Sequence, residues 1–338
     1  MGAALAVFLF TSCSEDSMES SSAVLPASQE KAFTLIEKPG EMIRINGKSE
    51  SADDAAYKRA TEAPGVDRGR FNITLKFLVP VTERQNEVFE AAAGRWERII
   101  IKDVPSFTGT IPSAFEGLPP AVDGTLDDII IEVVLAPIDG PGGILGQAGP
   151  QFVRTDDFLT LSGVMFFDVA DLDFLESLDL FEEVIVHEMG HVLGIGTLWN
   201  TERFGFPRTL REGSLSNPYF NGKMANVHWN AEGGTGELPI EGIEAGPGTG
   251  LSHWSESVLR NELMTGFLNL GENPLSRITA GSLRDLGYGT ALKGESYDLP
   301  KGSPGVDIND VAESSQGEGL NIAKMEVILE PIGIVSMD

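Results

Sequence analysis

Cysteine is almost absent from this chain: among 338 residues the only thiol is Cys13. No disulfide can close within it, and a structural zinc site built from cysteines is excluded. Histidine is nearly as scarce, with four in all. Imidazole chemistry therefore has to come from His187, His191, His228 and His253. Bases are outnumbered, 24 against 51 acids, giving a formal net charge of −27. A surface of that sign repels phosphate backbones, so no nucleic-acid partner is expected. The apolar run near the start, residues 3–10, is too short to span a bilayer.

What is present suits a globular protein. Hydrophobic residues make up 41% and charged residues 22%, enough for a core without staples, in one large domain or two modest ones. The apolar run leads through Thr11 and Ser12 to Cys13, the shape of a secretory signal ending at a cleavage site. It resembles a bacterial lipoprotein signal. That resemblance implies a signal peptide over 1–12, lipid on Cys13, membrane attachment through it, and a place in the cell envelope, at an outer membrane or the surface. Residues 13–69 read as a tether or pro-region, with short strands at 32–36 and 42–45. Residues 70–300 carry the globular pattern. Residues 301–338 read as a tail with one strand-like run at 325–329.

Inside 70–300 the periodicities are clear. Phe71, Ile73, Leu75 and Phe77 alternate with polar residues, a half-buried strand. Thr82 and Gln85 form a capping-box pair, and the helix they open lines up Val88, Phe89, Ala92, Trp96 and Ile99 on one stripe. The run DIIIEVVL at 128–135 reads as an inner strand covered on both faces. Gly-rich 142–150 suits an edge strand, and 163–168 is a further strand. The next helix is expected to be capped by Asp179 and ended by Gly194 in a left-handed conformation. Residues 196–251 read as loop, and a last helix covers 276–286. The order of elements is that of an α+β fold, a twisted mixed sheet with helices packed against it.

Residues 187–191 read His-Glu-Met-Gly-His. On a helix, positions i and i+4 share a face, so both imidazoles reach one ion. Glu188 is displaced around the helix, where it can serve a water as general base without binding the metal. This spacing points to a zinc hydrolase. A catalytic zinc takes three protein ligands and leaves a fourth position open. For the third ligand the residues alone leave His228, His253 and the carboxylates of Glu256 and Glu262 open.

The stretches HEMGHVLGIGTLW and HWSESVLRNELMTG closely resemble leishmanolysin-like zinc metalloproteases, a branch of the metzincins. The resemblance covers roughly residues 71–290. It implies one catalytic zinc held by His187, His191 and His253, with Glu188 as general base. It also implies a helix-terminating turn at Gly194 and a methionine turn at Met264 beneath the metal. Thr197 stands where compact metzincin motifs place their third histidine, which fits a branch with a long insertion before it. A monomeric endopeptidase follows, with a sheet-bearing upper subdomain above a looser lower one. Protein or peptide substrates would lie in the cleft between them, paired to an edge strand at 143–149. The alternative is a catalytically silent surface module, an adhesin or binding domain that keeps the fold.

Overall fold

The computed structural model describes residues 33–49, 70–246, 248–299 and 319–337. Cys13, the 1–12 signal and residues 50–69 and 300–318 lie outside the described residues. Among the described residues no helix is long and apolar enough to cross a membrane.

Nine strands form the main sheet. They are β1 (Ile43–Ser49), β2 (Ile73–Phe77), β3 (Phe107–Ile111), β4 (Val122–Leu126), β5 (Ile129–Ala136), β6 (Gly146–Arg154), β7 (Thr160–Asp168), β13 (Glu326–Ile328) and β14 (Gly333–Met337). Their spatial order is β2-β5-β7-β6-β14-β1-β3-β4, and β13 also pairs with β6. β5 is parallel to β2 and to β7, and every one of its residues is buried, as its nearly continuous apolar run, interrupted only by Glu132, requires. β6 runs antiparallel to β7 and parallel to β13 and β14.

Two helices pack on this sheet and set the site. Helix α1 (Glu83–Ile99) opens on the expected capping box, with Thr82 and Gln85 bonded reciprocally. Its buried stripe includes Val88, Phe89, Ala92, Trp96 and Ile99. After the short helix α2 (Val169–Ser177) comes α3 (Phe181–Leu193), which carries the His-Glu-Met-Gly-His run. Trp96 of α1 donates its indole N–H to the Val186 carbonyl at 3.0 Å. Arg95 of α1 donates to Glu183 at 3.0 Å and to Glu295 at 2.8 Å. Both contacts fix α3 from behind, through buried groups whose loss would leave a partner unsatisfied.

Three expectations are corrected. Asp179 does not cap α3: it sits at φ 59°, Leu180 is the cap residue, and no side chain bonds there. Glu182 and Glu183 in the first turn supply the favourable negative charge instead. Residues 196–251 are not simply loop. They hold a hairpin, β8 (Arg211–Ser214) with β9 (Asn217–Phe220), and helix α4 (Lys223–Ala231). A short strand β10 (Leu238–Pro239) then adds to β9. Finally, the Gly-rich strand is not an edge, because β13 and β14 cover its open side.

The last helix falls where it is expected. After the one-turn helix α5 (Glu256–Leu259) and β11 (Leu268–Asn269), helix α6 (Arg277–Leu286) starts at Ser276, whose hydroxyl accepts from the backbone of Ile278 and Thr279. β12 (Gly319–Leu320) pairs with β11. The segment expected to be a tail, from 319 on, therefore belongs to the folded body.

Candidate metal centre

Helix geometry places His187 and His191 one turn apart on the buried face of α3. The chain then has to turn sharply. Gly194 provides this at φ 113°, with the Ile195 N–H bonded back to the Gly190 carbonyl at 3.0 Å. His253 arrives from the segment before α5. It is anchored by its neighbour Trp254, which is buried against Trp199 and donates to the Thr279 hydroxyl at 2.8 Å.

All three imidazoles are fully buried. Each Nδ1 lies against a backbone carbonyl: His187 with Leu263 at 2.8 Å, His191 with Ile195 at 2.9 Å, His253 with Thr249 at 3.1 Å. A carbonyl only accepts, so each Nδ1 carries the proton and each Nε2 is left with a bare lone pair. The three Nε2 atoms converge to 3.0–3.1 Å of one another. Three lone pairs that close repel unless a cation sits among them, so the donor set fits a borderline metal such as zinc. Burial first of all holds His191 well below its usual pKa, which keeps it in the ligand form.

Beneath the cluster lies the predicted turn. Met264 is fully buried against Gly190, between the two helix histidines. A Cβ on Gly190 would stand 2.6 Å from the Met264 sulfur. Glu262 organises the turn. Its buried carboxylate accepts from the Met264 N–H at 2.7 Å, from the Ser276 hydroxyl at 2.7 Å, and from the Thr279 hydroxyl. Those bonds place it in the turn's scaffold rather than in the ligand set. His228 lies on α4 and is not part of the cluster.

Glu188 is buried, and no donor among the described residues satisfies either of its carboxylate oxygens. Burial, then the neighbouring Glu326 carboxylate, push it well above the usual carboxylate range. Glu326 comes from β13. Its carboxylate approaches the Nε2 atoms of His253 at 3.1 Å, His187 at 3.3 Å and His191 at 3.7 Å. His187, His191, His253 and Glu326 together are placed to hold a metal ion. Beside them a cavity of about 320 Å³ opens between Thr197, Arg211, Ser252 and the β13 residue Ile328.

The leishmanolysin family model matches residues 103–293, more than half of the chain. The chain belongs to the leishmanolysin family. That membership accounts for the α+β architecture with its curled mixed sheet and for a metallopeptidase-type site. A comparison with curated proteins returns no match. The leishmanolysin match spans α3, His253 and the Met264 turn, but it ends before Glu326. Sequence reasoning missed this fourth residue. Residues 325–329 were legible as a strand, yet nothing in their spacing ties an acid at 326 to histidines far back in the chain. A lone acid within an otherwise apolar run was the available signal.

Proposed function

We propose that the chain is a zinc-dependent endopeptidase. His187, His191 and His253 hold one zinc, and Glu188 is the general base. The convergence of three bare Nε2 atoms beside an unsatisfied buried carboxylate carries this reading. A zinc ion held by these residues would polarise a peptide carbonyl and would lower the pKa of a bound water to about 7. Glu188 accepts the proton as water attacks and passes it to the leaving amine. The backbone carbonyls of Leu263, Ile195 and Thr249 hold the imidazoles in the ligating tautomer throughout. Substrates are proteins or peptides, and the chain acts in the cell envelope, tethered by lipid on Cys13.

Metal analysis of the purified chain should return close to one zinc. Glu188→Ala should keep that zinc and lose at least about 10²-fold in hydrolysis of a peptide library. Both are best measured with Glu326, which fills the space beside Glu188, replaced by alanine. A chain that neither carries nor takes up zinc refutes the reading, as does equal hydrolysis with and without Glu188.

A further inference from the structure

The segment 319–329 crosses the whole cleft. It begins paired to the lower part, Leu320 opposite Leu268. The Ala323 N–H then bonds to the Gly266 carbonyl, two residues past Met264, at 3.2 Å. Glu326 passes over the histidines. From there β13 lies along β6 in register, Glu326 opposite Gly146 and Ile328 opposite Ala148, and the Leu329 N–H closes onto the Ala148 carbonyl at 2.7 Å. Ile322, Ala323 and Glu326 are all buried. The cleft is shaped around this backbone by glycine on both walls. A Cβ on Gly248 would stand 2.3 Å from the Ala323 carbonyl oxygen, and one on Gly149 would stand 2.3 Å from that of Leu329.

We infer that residues 319–329 are a built-in inhibitory strap, with Glu326 as a fourth protein ligand that closes the metal site. The inference rests on the zinc reading above. Three imidazoles and a carboxylate make four protein ligands, the complement of a closed site and one more than a hydrolase needs. The carboxylate also occupies the space against Glu188 that an attacking water requires. A side chain is what faces the histidines: the peptide carbonyl of Met325 is spent on the Leu145 N–H. The strap therefore offers the site no bond to hydrolyse. It also takes the hydrogen bonds of β6 that an extended substrate would use.

The test uses the full chain loaded with zinc and a fluorescent peptide hydroxamate, whose binding needs an open metal position but no catalysis. Glu326→Ala should hold one zinc and bind the hydroxamate at least about tenfold more tightly than wild type, as follows if the strap is open in fewer than about one molecule in ten. Should Glu326→Ala fail to fold, Gly149→Ala decides in its place. It leaves every metal-facing side chain intact but drives the Leu329 backbone off β6, and the affinity should move the same way. Zinc-loaded chains that bind the hydroxamate equally with and without these changes overturn the strap alone. Chains that take up no zinc overturn the metal reading and the strap with it.

Discussion

Gly190→Ala poses a sharp question, because two effects of similar size oppose each other at that position. Alanine in a helix interior is favoured over glycine by about 1 kcal/mol. The new methyl, however, would stand 2.6 Å from the Met264 sulfur, 2.8 Å from its terminal methyl and 3.1 Å from Trp96. Met264 is fully buried, so its displacement is overpacking, which costs about 1–3 kcal/mol. The clash wins, and Gly190→Ala should lose roughly 1 kcal/mol net. Truncating the obstacle reverses the sign. In a Met264→Ala background the methyl enters vacated space, and Gly190→Ala should stabilise by up to about 1 kcal/mol. The coupling across this double-mutant cycle is then about 2 kcal/mol. Urea unfolding of the four chains in chelator, so that metal binding does not add to the folding energy, measures it. If Gly190→Ala costs the same in both backgrounds, Met264 is not the neighbour that demands glycine in the His-Glu-Met-Gly-His run.

Two further outcomes follow from the geometry. In competitive zinc titrations His253→Ala should weaken binding severely while His228→Ala keeps about one zinc per chain; the opposite pattern would remove His253 from the ligand set. Asp128 is fully buried and accepts from the backbone of Asn72 and Val104, and burial first of all pushes its pKa up to about 8. Between pH 4 and 8 the folded chain thus keeps a proton that the unfolded chain has released, so this group makes stability fall as pH rises, by at most about 1.4 kcal/mol per pH unit. Asp128→Asn should be less stable at low pH, since an amide nitrogen cannot accept, yet should show a flatter pH dependence in urea melts; an unchanged slope would contradict the raised pKa.

How much was legible depended on whether the determinant was local. The capping box at Thr82 and Gln85 and the left-handed Gly194 each lie within a few residues of the helix end they serve, and each was readable. Helix α4 was not. No side chain at its own start caps it; the N–H groups of Met224 and Ala225 bond to Asp285, some sixty residues later on α6. The Gly-rich strand expected at 142–150 is found at Gly146–Arg154, but its partner on the open side comes from residues 326–335. The helix histidines follow from spacing alone. His253 required the family resemblance, and Glu326 required the fold.

The position of β14 also constrains when this protein can finish folding. β14 lies between β1 and β6, parallel to both, with Gly333 opposite Ile43 on one side and Phe152 on the other. Strand pairing between β1 and β6 thus runs through residues made long after either. A chain emerging from the ribosome or a translocation pore in N-to-C order cannot complete its sheet until residues 333–337 are out. The preceding residues must wait with a strand edge unpaired, so closure is a late step of high contact order and correspondingly slow. Because residues 319–329 emerge before β14, they are available to fill the cleft before the sheet can be sealed.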